Sequence, residues 1–544
     1  MKKIIYIICI AFLFTACQEL DLSPEHTITD GFLWDKEQDY ELAVNFLYND
    51  LDGFRSDTNS DIAFANSPSD VSNGSRVAPQ TSGFYNGSYA DIRDANFIID
   101  RASTNGFENS RWVAEARWFR ALYYTRLVMA YGDVQFYTSV IDPADNDALF
   151  ASRTSREVVV DFIIDELNAI RDLLPLQSQL PNSEYGRITK GAADALRARI
   201  ALFEGTWIKY HGTTGDANQR FDEAIDASQA IMNSGEYSLF NYAPNPAQSY
   251  RYFFMEVGND SPQQIVAKRF DRDRRHGHSS TARDRNSVTK KLADMYLCTD
   301  GLPIDVSPLF QGRALMDTEF ENRDPRMAMT IITPGAFTID RLDQTGAEAD
   351  WPIIALDQTF YANYKFISEF YFEGTGSNTY YAHSFHFAEV LLINAEATFE
   401  RNGSITDAQL NSSINLLRTR AGIAALTNSL VTTNGLDMLS EIRRERTIEL
   451  AQEGYRRDDL RRWKTAEVEM PMALKGAQFV GTEFETAELS PGVLRYPSAP
   501  ATDALGFVIV EPGSERNFTA RDYLEPFPVE ETIINTNLQQ NPGW

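Results

Sequence analysis

The stretch EARWFRALYYTRLVMAYGDV, residues 115–134, is apolar around most of a helix. Trp112, Ala116, Phe119, Tyr123, Leu127 and Ala130 fall on one stripe, while Trp118, Leu122 and Val128 lie off it. A surface helix carries a single apolar stripe, so a helix that is apolar on most sides must be enclosed by neighbours. The sequence supplies candidates for that role. Helical periodicity predicts helices at about Ser155–Leu174, Thr189–Phe203 and Phe221–Met232. In KGAADALRARIALFEG the alanines let a neighbouring helix approach closely. Upstream, WDKEQDYELAVNFLYNDLDGF has capping-box spacing between Asp35 and Gln38, with a predicted inward stripe of Leu42, Phe46, Leu47, Leu51 and Phe54. A further helix carries Ile92, Ala95, Asn96 and Ile99. Helices resume at FHFAEVLLINAEATFERNG, DAQLNSSINLLRTRAG and LDMLSEIRRERTIELAQEG.

Helix pairs with small residues at their contacts suggest an all-α solenoid of the tetratricopeptide kind, although no clean 34-residue period is visible. The middle differs. Between about residues 241 and 381, Pro, Gly, Asp and aromatics increase and helical periodicity fades, with short strands such as QQIVAKRF. The expected architecture is a helical scaffold with a loop-rich, short-stranded insertion. Its expected regions are 1–16, 17–240, 241–381 and 382–544.

The first of these regions is expected to be a targeting segment. In MKKIIYIICIAFLFTACQELDLSP, Lys2 and Lys3 precede an apolar run, Ile4 to Phe14, that is too short to span a bilayer. Thr15 and Ala16 then lead into Cys17, which resembles a bacterial lipoprotein signal rather than an ordinary secretory one. Cleavage before Cys17 would remove Cys9 and place lipid on Cys17, leaving Cys298 alone and no internal disulfide. No later stretch is long and apolar enough for a membrane helix, so the protein is expected to be anchored by lipid rather than threaded. The net charge of −27 over 544 residues argues against a nucleic-acid partner, which needs a positive face.

Catalytic and cofactor signatures are missing: no Walker loop, GxSxG, HExxH or paired CxxC occurs. His383 and His386, and His276 and His278, lack Cys partners or an evident third ligand, so no metal is expected. The expectation is a non-enzyme without a cofactor. Arginines instead crowd into SEIRRERTIELAQEGYRRDDLRRWK, residues 440–464. Acids interleave throughout, with Glu449 and Glu453 three and seven residues after Arg446, which favours charge pairs over an anion patch.

That segment resembles the ERxxELxxEGxRxxDLxRW motif of the SusD/RagB family of Bacteroidota outer-membrane lipoproteins. CQELDLSP, EARWFRALYYTRLVMAYGDV, LADMYLCTDGLPI, FHFAEVLLINAEA, INLLRTRAG and EPFPVEETIINTNLQQNPGW resemble further family blocks in the family's order. The resemblance implies four tetratricopeptide-like helix pairs. It also implies a surface-exposed lipoprotein that binds oligosaccharides and delivers them to a SusC-like TonB-dependent transporter. Peptide cargo in the same role is the alternative. Arg446, Glu449, Arg456 and Trp463 then read as fold braces.

Ligand choice is expected in the loops outside the matched blocks. Sugar recognition sets aromatic rings against pyranose faces and polar groups on hydroxyls. The first loop supplies Asn73, Arg76, Phe84 and Tyr85, and the insertion supplies Arg272, Arg274, His278 and Trp351. The segment KRFDRDRRHGHSSTARDR, residues 268–285, holds Lys268 and six arginines against three aspartates. It is either a self-paired surface loop or a contact for the carboxylate or sulfate of an anionic glycan.

Overall fold

A computed structural model describes residues 34–333, 337–338, 347–348, 358–368 and 378–544. Cys17 and Trp351 lie outside the described residues.

The scaffold is helical. Its N-terminal helices are α1 (Glu37–Leu47), α2 (Gly83–Asn105), α3 (Arg111–Tyr131), α4 (Arg156–Ile170), α5 (Lys190–His211) and α6 (Ala217–Met232). After the insertion come α7 (Phe387–Asn402), α8 (Ile414–Ala421), α9 (Met438–Glu449) and α10 (Arg456–Arg462). Ser82, Ser110, Thr189 and Asp216 cap α2, α3, α5 and α6, each side chain accepting from a first-turn backbone N–H. Successive helices pack in order: α2 on α3, α3 on α4, α4 on α5, α5 on α6, α6 on α7, and α7 on α9. Trp118, Phe119, Leu122, Tyr123 and Val128 of α3 are all buried, as an enclosed helix requires. At Gly205 of α5 a Cβ would fall 2.8 Å from the Phe221 ring of α6, so glycine sets the distance between these helices.

The short strands are β1 (Ala63–Phe64), β2 (Gln264–Lys268), β3 (Ser287–Val288), β4 (Ala382–His386), β5 (Leu474–Gln478) and β6 (Phe507–Glu511). β2 and β4 pair antiparallel, with Lys268 opposite Ala382. The chain therefore leaves and re-enters the helical array at one place, and α7 packs on α6 as though the intervening segment were a long loop. β1 pairs with β3 and ties the segment after α1 to the insertion.

Several local expectations change. On α1 the inward residues are Tyr40, Val44 and Leu47, while Leu42 and Phe46 are 65% and 62% exposed. The roll of this helix is set by Tyr40, whose hydroxyl donates to the Trp34 carbonyl at 3.1 Å and whose ring meets Trp34 and Phe107. The side chain that reaches back in the first turn is Asp39 rather than Gln38, accepting from the Lys36 backbone N–H at 3.1 Å. α2 begins at Gly83, inside the expected loop. α5 continues two turns past Phe203 and encloses Trp207, which has the Arg156 guanidinium 4.3 Å above its ring. His383 and His386 lie on β4, and His386 is also the N-cap of α7.

Candidate functional site

The arginine-rich motif forms a tight reversal. Gly454 sits at φ +79°, and a Cβ there would lie 2.6 Å from Cβ of Arg55, so the turn needs glycine twice over. Around it the charges pair over long range. Arg446 Nε donates to Asp459 at 2.8 Å, not to the expected Glu449 or Glu453. Glu449 accepts from Arg326 at 2.9 Å and Arg420 at 2.6 Å, and Glu453 from Lys365 at 2.8 Å and His386 at 2.9 Å. Arg456 grips Asp61 with two bonds of 2.8 and 2.9 Å. Arg462 bridges Asp459 and Glu396, and the Trp463 indole donates to Glu396 at 2.6 Å. Burial opposes ionisation of Glu396, but Arg462 outweighs it and holds the carboxyl at about 2.

Beside this network lies a cavity of about 450 Å³ between α3, α5, α10 and the segment 52–55. Its apolar wall includes Leu122, Leu196 and Phe203, and its charged wall includes Asp52, Arg55, Arg126, Arg457 and Glu525. Asp52 is held at about 2: burial raises it, and Arg55 and Arg126 outweigh that. On the other side of the same segment, Phe54 stacks on His278 at 4.0 Å and 7°, and on Phe270 at 5.7 Å and 13°. His276 meets Phe54 at 4.6 Å. All four rings are half-buried. Burial pushes His278 down to about 3, with His276 adding to it, so the imidazole is neutral and presents a flat ring. Segment 52–55 thus carries an aromatic shelf on one side and a basic cavity on the other.

The residues expected from sequence separate into two groups. Arg272 and Arg274 are exposed on the loop beside the shelf, and His278 belongs to the shelf itself. Phe84 is 46% exposed and lines the cavity. Asn73, Arg76 and Tyr85 are corrected: they are buried and tie the C-terminal tail to the array. Asn73 Nδ2 donates to Glu511 at 2.9 Å. Arg76 pairs with Glu525 and donates to the Asp522 carbonyl at 3.0 Å. The Tyr85 hydroxyl donates to Gln135 at 3.1 Å, and its ring meets Tyr131 and Phe527 edge-on. Tyr85 follows the Ser82 cap on the inward face of α2, and the partners of Arg76 lie more than 400 residues along the chain, where local sequence carries no signal. Phe54, Phe270, Arg126 and Arg457 escaped the sequence reading as site residues. The only signal was the aromatic and arginine content of their segments. Among the described residues no group of three or more His, Cys, Asp or Glu is arranged to hold a metal ion.

The molecule is thus a largely helical, tetratricopeptide-like scaffold that sets an aromatic cluster and a charged cavity on either side of one segment. The SusD family model matches residues 235–544, and a second model, described as starch-binding associating with outer membrane, matches residues 34–202. The chain belongs to the SusD family. A curated relative, SusD-like protein P2 of Formosa agariphila, is 26% identical over 482 residues, covering 85% of this chain and 80% of that protein. Two solved structures from Bacteroides fragilis share the fold. A SusD-like protein gives a TM-score of 0.74 at 23% identity, covering 95% of this chain and 99% of its own. A SusD-like carbohydrate binding protein gives 0.72 at 22% identity, covering 93% and 99%.

Proposed function

We propose that this protein captures oligosaccharides at the bacterial outer membrane and delivers them to a SusC-like TonB-dependent transporter. In this reading it is held at the cell surface by lipid on Cys17. Membership of the SusD family carries the reading, supported by the carbohydrate-binding name of one structural neighbour. The aromatic shelf suits it. The half-buried rings of Phe54, Phe270 and His278 stack on one another, so it is the outer side of the stack that would meet the C–H side of a pyranose, with Arg272 and Arg274 beside it for hydroxyl contacts. Trp351, expected from the sequence as a further contact, lies outside the described residues. Binding and release require no covalent step.

Calorimetric titration of the full-length mature protein against a panel of oligosaccharides tests the reading. The panel is expected to contain a binder, and Phe54→Ala is expected to weaken it about tenfold, or about 1.4 kcal/mol. A panel without a binder rejects carbohydrate capture, and full affinity in Phe54→Ala rejects the shelf as the site.

A further inference from the structure

The arginines of the buried charge network and those of the cavity beside it are not equivalent. Arg326, Arg456 and Arg462 use Nε and both terminal nitrogens on protein acceptors and have almost no exposed surface. Arg55, Arg126 and Arg457 differ. Among the described residues each bonds through Nη2 alone: Arg55 to Asp52, Arg126 to the Asp50 carbonyl and to Asp52, and Arg457 to Glu525. Their side chains keep 35%, 18% and 20% of their surface exposed. A guanidinium has five donors, so each of these three retains donors beyond those the fold uses.

The charge balance points the same way. The described wall carries seven arginines against four carboxylates; Arg199 and Arg462 are also paired from behind by Glu389 and Glu396, which leaves the wall with a small positive excess in a chain whose net charge is −27. Burial first, and Arg457 second, push Arg461 down to about 10, while Glu525 and Asp52 hold Arg457 and Arg55 above the ordinary arginine range. Phe84 is the most exposed aromatic of the wall, at 46%, against 3% for Tyr131, 2% for Phe203 and 7% for Tyr455.

Resting on the carbohydrate reading, we propose that this cavity is a subsite for an acidic sugar unit. Arg55, Arg126 and Arg457 bind its carboxylate or sulfate, and Phe84 covers its ring face. Guanidinium groups match planar or tetrahedral oxyanions through paired N–H donors, and a partly enclosed cavity strengthens such bonds over those in open water. A volume of about 450 Å³ accommodates a sugar unit rather than a bare ion alone.

The test is calorimetry on the full-length mature protein with neutral, uronate and sulfated oligosaccharides of equal length, and with inorganic sulfate, at low and high salt. An acidic oligosaccharide is expected to bind best and to weaken as salt rises. Arg457→Gln and Phe84→Ala are each expected to weaken it about tenfold, and half-exposed Phe84 can be removed with the thermal midpoint unchanged. The subsite is overturned if neutral oligosaccharides bind as tightly as acidic ones. It is also overturned if neither variant changes acidic binding, or if free sulfate matches the sugar. Binding of no saccharide of any charge removes the carbohydrate reading itself, which separates the two failures.

Discussion

Arg326 has no exposed surface and meets three carboxylates: Asp324 at 2.7 Å, Glu445 at 2.7 Å and Glu449 at 2.9 Å. Breaking a buried charge network from one side leaves the other charges desolvated and unpaired. Arg326→Ala is therefore expected to destabilise the protein by about 3–5 kcal/mol in urea unfolding. The same network sets a pH dependence. Burial opposes ionisation of Glu453, yet Lys365 and His386 outweigh it and hold the carboxyl at about 2, as Arg462 does for Glu396 and Arg457 for Glu525. These folded values lie below the ordinary 4.5, so the stability they contribute is complete above it and is lost as pH falls toward 2. Asp57, raised to about 6 by burial, has the opposite sign and weakens the fold as pH rises through that value. The urea midpoint is expected to fall steeply between about pH 4.5 and pH 2.5, and an unchanged midpoint there would refute the assignment.

At the level of elements, the array depends on contact between α5 and α6. Gly205→Ala gains about 1 kcal/mol in helix propensity. The new methyl, however, would stand 2.8 Å from the ring of Phe221, which is fully buried and has nowhere to swing. Overpacking of that kind costs about 1–3 kcal/mol, so the net effect expected is a loss of stability despite the better helix former. A raised thermal midpoint in Gly205→Ala would show that α6 can move away. The pairing of β2 with β4 has a related consequence. The long insertion enters and leaves through one strand pair, so it can carry recognition loops without parting α6 from α7.

For the whole molecule, no helix among the described residues is long and apolar enough to cross a membrane. Attachment is proposed to rest on Cys17, and Cys17→Ala is expected to move the protein from the membrane fraction to the soluble fraction. Retention of the variant in membranes lacking the transporter would refute the lipid anchor. What the sequence by itself determined was the helical class, because a 3.6-residue period and a helix apolar on most sides are properties of neighbouring residues. It also carried the family motifs and the interleaving of arginines with acids. Only the tertiary structure decided which face of α1 turns inward, since Trp34 and Phe107 set its roll. It alone matched Arg446 with Asp459 and Arg76 with Glu525, and so placed Asn73, Arg76 and Tyr85 in the interior while leaving Phe84, Arg55 and Arg457 with exposed surface. Burial and ion pairing depend on groups brought together from opposite ends of the chain, and no local pattern encodes which end will arrive.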